Sequence, residues 1–118
     1  MQTASTRFTS VSFLFEEMAA ARAAGKYLAF LRQMNQSKVL ILDDFGLRNY
    51  THEEATCLVD LLEERYRKGT VIVTSQVNDK GWQKLFDDPV VGEAVVDRLT
   101  KPSIKIVLSG GSYRDRLL

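Results

Sequence analysis

Residues 38–46 read KVLILDDFG. Four apolar residues run together without alternation, and two carboxylates follow where the run stops. Such a run predicts a strand buried on both faces, as in a parallel sheet. An uncompensated charge has no place in that core, so Asp43 and Asp44 are expected at the carboxyl edge of the sheet.

The pattern on either side agrees. Downstream, Thr51-His-Glu-Glu54 is a capping box: the Thr51 side chain starts a helix and Glu54 sits three residues on. Ala55, Leu58, Val59, Leu62 and Tyr66 fall on the inner face of that helix, which ends near Lys68-Gly69. Thr70-Val-Ile-Val-Thr-Ser75 is a second buried strand. A polar connection holding Gly81 and Trp82 leads to Pro89, then a helix over Val90 to Leu99, a break at Lys101-Pro102, and a third strand over Ile104 to Leu108. Upstream, Val11, Leu14, Phe15 and Met18 mark one helical face, with a stop at Gly25. Tyr27, Leu28, Leu31 and Met34 mark a second, before the turn at Asn35-Gln-Ser37. Helix and strand alternate three times, which gives an α/β fold with a parallel sheet and flanking helices joined by right-handed crossovers.

The 118 residues make one domain or part of one, with enough chain for a real core. Hydrophobic residues at 45% and charged residues at 26% are those of an ordinary globular protein, and a net charge of +1 confines any basic footprint to a local patch. Cys57 is the single cysteine, which rules out an intramolecular disulfide and cysteine-type metal sites and fits a reducing compartment. No apolar segment approaches a membrane span, and the first residues lack a secretory pattern. The expectation is a cytoplasmic protein.

Ligands of open parallel sheets bind at the carboxyl ends of the strands. Those ends carry Asp43 and Asp44, then Thr74, Ser75 and Gln76. An apolar strand followed by an acidic pair matches the Walker B element of nucleotide hydrolases. One carboxylate holds Mg2+ through water, the second orients or deprotonates the attacking water, and a polar residue on the next strand senses the terminal phosphate. The same pair also fits a plain loop start that caps the next helix. The phosphate-binding pattern G-x-x-x-x-G-K-[ST] does not occur in these residues: Gly25-Lys26 has Ala20 in place of the first glycine and Tyr27 in place of the hydroxyl. By its own residues the chain carries half of a nucleotide site.

The stretch VLILDDFGLRNYTHEEATCLVDLLEERYRKGTVIVTSQ resembles the IstB-like transposition helper ATPases, relatives of DnaC-type helicase loaders. Trp82, AVVDRL at Ala94 to Leu99 and GGSYR at Gly110 to Arg114 extend the likeness from about Arg7 onward. The resemblance implies the carboxyl-terminal part of an AAA+ ATPase domain, a partial P-loop αβα core with its P-loop strand upstream. It implies ATP and Mg2+ as ligands, and DNA with a transposase or a replicative helicase as partners. Asp43 then takes the Mg2+-associated position and Asp44 the catalytic acidic one. Thr74 to Gln76 fall at sensor 1, where the family usually has Thr-Ser-Asn, so Gln76 sets its amide one methylene further out. Arg98 matches an arginine finger that reaches a neighbouring subunit's nucleotide, and Arg114 is phosphate-sensing or structural.

Plainer roles stand beside these. Arg98 also fits a dipole partner or an ion pair with Glu93 or Asp97. Trp82 reads as packing, His52 as a solvent-exposed residue without metal partners, and Cys57 as a small helix-packing residue. Arg65, Arg67 and Lys68 read as a solvated helix end, with DNA contact as the alternative. In the strand order of this ATPase class the P-loop strand lies mid-sheet, so its absence predicts rearranged pairing or self-association. Two function classes follow: part of an ATP-driven DNA-transaction helper, inactive in ATP turnover by itself, or a non-catalytic module that binds protein partners or itself.

Overall fold

The computed structural model describes residues 5–66 and 68–100 and the backbone of 104–107. The chain runs β1 (Thr6–Ser10), α1 (Val11–Ala23), α2 (Tyr27–Met34), β2 (Val39–Phe45), α3 (His52–Arg65), β3 (Thr70–Ser75), a 3-10 helix (Asp79–Leu85), α4 (Pro89–Thr100) and β4 (Ile104–Val107). The four strands form one sheet in the order β1-β2-β3-β4, every neighbouring pair parallel.

The strand order advances one place with each connection, so right-handed crossovers lay the helices on one face of the sheet. Burial agrees. Leu40, Leu42 and Phe45 of β2 and Val71 and Val73 of β3 are buried and join Val11, Leu14, Met18, Met34, Leu58, Leu61, Val95 and Leu99 of the helices in one contiguous core. Val39 and Ile41 of β2 and Ile72 of β3, which alternate with them, are only half-buried. The expectation that β2 is buried on both faces is therefore corrected: the apolar run hides an alternation, because the described helices cover one face and the other has no such layer among the described residues.

Local signals fix the helix ends. Ser10 caps α1 by accepting from Phe13 N–H, and α3 opens with the full capping box, Thr51 Oγ1 accepting from Glu54 N–H while Glu54 Oε1 accepts from Thr51 N–H. Arg48 grips the same Glu54 with two parallel bonds of 2.9 and 2.8 Å, tying the β2–α3 loop to the helix start.

At the far end of α3, Arg65 is not the solvated residue that its basic neighbourhood suggests. It is 1% exposed, donates to Thr70 O at 3.0 Å, and spans α3 and β3. Burial lowers its pKa below the usual guanidinium value. Lys68 does lie in solvent, paired with Glu64; Arg67 falls outside the described residues.

β4 sits directly against β3, with Ile72 in register with Ile104 and Ser75 with Val107. That is where the strand order expected from the resemblance would insert a P-loop strand. No helix among the described residues is long and apolar enough to cross a membrane.

Candidate functional site: an acidic bulge at the sheet edge

β2 does not end before its carboxylates. Leu42 pairs with Val73 and Phe45 with Ser75, so Asp43 and Asp44 together stand opposite the single residue Thr74. Two residues against one is a β-bulge, which bends a strand and re-aims its side chains. The extra residue is accommodated by Asp44 at φ 61°, a left-handed conformation that aspartate tolerates better than most side chains. Past the bulge the parity is restored: Phe45 returns to the core face and is 1% exposed.

Thr74 holds the bulge from the next strand. Its hydroxyl donates to Asp43 Oδ1 at 2.5 Å and accepts from Asp44 N–H at 3.0 Å. One side chain thus fixes the first carboxylate and the backbone of the second. Among the described residues the half-buried Asp43 carboxylate has no other partner, which leaves Oδ2 to a ligand. A carboxylate with one oxygen tethered and one open suits a hydrated Mg2+, which keeps most of its waters and takes few protein oxygens.

The floor under the bulge is aromatic. Phe45 contacts Tyr50, Trp82 and Phe86 with ring centroids 4.9 to 6.1 Å apart, and Phe15 meets Tyr50 at 5.4 Å. Trp82 is fully buried and donates from Nε1 to Val77 O at 2.9 Å, so its role is packing, as its sequence setting suggests. Gly46, at φ 93°, turns the chain out of β2, and its N–H donates to Tyr50 Oη at 2.6 Å. Tyr50 in turn bridges to the segment after β3: its N–H donates to Leu85 O, and its carbonyl accepts from Asp87 N–H. Burial raises the pKa of the Tyr50 phenol, keeping it a neutral partner. Tyr50 and Gly46 escaped the sequence reading, and the aromatic beside a helix cap was the available signal.

The remaining expected residues divide. Ser75 is 1% exposed, and its hydroxyl is spent on Phe45 O at 2.6 Å and on Val77 N–H at 3.0 Å, so it faces inward from the edge. Gln76 is exposed just beyond it. Arg98 of α4 is not drawn to Asp43 or Asp44. Its guanidinium pairs with Glu63 of α3 and donates to Ala94 O, rather than pairing with Glu93 or Asp97. Arg114 lies outside the described residues. His52 is exposed and paired with Asp88 at 2.7 Å, which holds the Asp88 carboxyl below its ordinary value. Cys57 is buried on α3, with Arg22 Nη2 3.6 Å from its sulfur.

With the bulge in place, relatives can be compared. The family model of IstB-like ATP binding proteins matches residues 1–117. This chain belongs to that family. It is 34% identical over 110 residues to a protein of Sinorhizobium fredii named as an insertion sequence ATP-binding protein, covering 93% of this chain and 45% of the relative. It is 36% identical over 111 residues to a Mycobacterium tuberculosis protein named as an ATP-binding protein in an insertion sequence, covering 93% of this chain and 44% of the relative. The chain therefore spans less than half the length of these relatives. Among solved structures, the DnaC helicase loader superposes with a TM-score of 0.67 at 23% identity, over 88% of this chain and 61% of that one. At that identity the likeness establishes the fold, a parallel sheet with flanking helices.

Proposed function

We propose that this member of the IstB-like family supplies the acidic and sensor half of an ATP·Mg2+ site. The observation that carries the reading is the bulge at Asp43 and Asp44, with Thr74 tethering one oxygen of Asp43 and leaving the other open. Asp43 would hold a hydrated Mg2+ beside the phosphates, and the ion would supply charge neutralisation there. Asp44, held in the bulge with a left-handed backbone, orients or deprotonates water. Gln76, exposed at the end of β3, would sense a terminal phosphate, and Ser75 positions that strand end from within. Arg98 serves a neighbouring subunit's nucleotide after leaving Glu63, and Arg114, outside the described residues, is phosphate-sensing or structural.

The residues do not provide a phosphate cradle. The β- and γ-phosphates need a loop of backbone amides and a lysine, and these 118 residues contain no such pattern. We infer that the chain turns over no ATP alone and acts with a P-loop segment such as the longer relatives have room for. In that setting it would serve as part of a DNA-transaction helper acting with a transposase or a replicative helicase, in the cytoplasm and as an oligomer.

One observation favours a second reading, a non-catalytic interaction module. β4 pairs with β3 along the edge that a P-loop strand would need, so nucleotide binding would require that pairing to open. Joining this chain to the P-loop segment of a relative and measuring ATP turnover separates the two. Turnover that Asp44→Asn abolishes supports the nucleotide site; a folded hybrid with no turnover favours the module.

A further inference from the structure

β1 is an outer strand of the sheet, and among the described residues no strand lies on its free side. An edge of this kind is a template for another strand unless charge, proline or a bulge blunts it. β1 has none of these devices beyond Arg7: it reads Thr-Arg-Phe-Thr-Ser, with good strand formers at most positions. An open groove runs along it, lined by Thr6 to Ser10 of the strand and by Phe13 and Glu17 of α1. Its two aromatics are conspicuously bare, Phe8 at 64% and Phe13 at 56% exposure.

The backbone parity of the edge is set by its inner neighbour. Ser5 O accepts from Lys38 and Val39 N–H, and Arg7 stands in register with Leu40. The two-residue alternation therefore directs the ladder bonds of Arg7 and Thr9 toward β2 and turns the N–H and C=O of Phe8 outward. In an antiparallel pair, two residues that face each other through outward groups exchange both bonds. The strand is also self-complementary about Phe8. Pairing with a copy sets Phe8 against Phe8 of the copy, Thr6 against Ser10 and Arg7 against Thr9, so no like charges meet. A two-fold axis normal to the sheet keeps both helix layers on one side. Phe13 of each chain then approaches the junction on that side and Phe8 on the other.

We propose that β1 is a self-association edge, which pairs antiparallel with β1 of a second copy, centred on Phe8, to join two four-stranded sheets into one. The occupant is this same chain because the register sets aromatic against aromatic and opposes no like charges. One short strand and two aromatics cover less than the ~800 Å2 per partner of a standard interface, so the dimer is a weak one with a dissociation constant in the micromolar range. The proposal is independent of the nucleotide reading.

The test is sedimentation velocity of the full chain from low to high micromolar concentration, with two variants. Phe8→Lys places a charge on the edge at a largely exposed position and is expected to raise the dimer dissociation constant by at least ~10-fold. Leu28→Lys, on α2 at 52% exposure, is expected to leave it unchanged. Helical circular dichroism and the fluorescence of the buried Trp82 confirm folding of each. In a Cys57→Ala background, Phe8→Cys is expected to form a disulfide-linked dimer under mild oxidation and Leu28→Cys is not. Facing residues lie about 5.5 Å apart between Cα atoms, within disulfide range. A chain that stays monomeric throughout overturns the proposal, as does dimerisation that Phe8→Lys leaves intact. Cross-linking that is equally fast from position 28 does so too. Monomers that nevertheless pair with an unrelated extended peptide along β1 would assign the edge to a different occupant and overturn the self-pairing.

Discussion

Thr74→Val isolates the bond on which the acidic bulge depends. Valine keeps the β-branched shape and strand preference, so packing changes little and the hydroxyl alone is lost. That hydroxyl donates to Asp43 Oδ1 at 2.5 Å and accepts from Asp44 N–H at 3.0 Å. A hydrogen bond to a carboxylate is worth about 1.5–3 kcal/mol, and withdrawing an acceptor from a backbone amide costs about another 1. Thr74, Asp43 and Asp44 are all half-buried rather than sealed, so water replaces part of the loss. The expected destabilisation is about 2 kcal/mol. With a urea slope of ~1–3 kcal/mol/M, the midpoint falls by roughly 1 M at an unchanged slope. Trp82 is the single tryptophan and is fully buried, so its fluorescence reports the transition. In a double-mutant cycle with Asp43→Asn, the two changes should depart from additivity by ~1 kcal/mol. A loss of less than ~0.5 kcal/mol, or full additivity, would refute the claim that Thr74 holds the bulge.

Three further outcomes are expected. Gly92→Ala should destabilise the fold by about 1–3 kcal/mol in thermal unfolding, despite the better helix propensity of alanine, because the new Cβ would lie 2.6 Å from Phe86 Cβ and 2.8 Å from its Cγ. Trp82→Phe should cost about 1 kcal/mol or more in chemical unfolding, through loss of the Nε1 bond to Val77 O in a fully buried site. The Glu54 carboxyl is held below its ordinary value of 4.5, first by the hydrogen bonds from Arg48. Its contribution is therefore fully present above that value and lost as pH falls through the lower folded value. Urea titrations at several acid pH values should show a shallower loss of stability in Glu54→Gln and in Arg48→Gln than in the parent.

Much of the architecture is legible in the sequence because its signals are local. The capping box at Thr51 and Glu54 forms as its residues dictate, and the apolar runs before Asp43 and Thr74 become β2 and β3. β1 was missed, since Thr-Arg-Phe-Thr-Ser lacks an apolar run and its identity as a strand comes from pairing with β2. The acidic pair is readable, but the bulge is not: two residues opposite one is a property of register between β2 and β3, which no single strand encodes. Arg65 looks like a surface residue in a basic run, yet the short α3–β3 connection folds its guanidinium onto Thr70 O. The Arg98 pairing with Glu63 likewise joins positions 35 residues apart, set only when α3 and α4 pack together.

The central claim is that Asp43 and Asp44 form the acidic half of a nucleotide site whose phosphate cradle lies outside these residues. Calorimetric titration of Mg·ATP tests it most directly, on this chain alone and on the chain joined to the P-loop segment of a relative, each with Asp43→Asn. The account expects no saturable heat from the chain alone, and saturable binding by the joined protein that Asp43→Asn weakens strongly. Saturable binding by the chain alone that Asp43→Asn removes would contradict it, as would a folded joined protein whose binding is indifferent to Asp43.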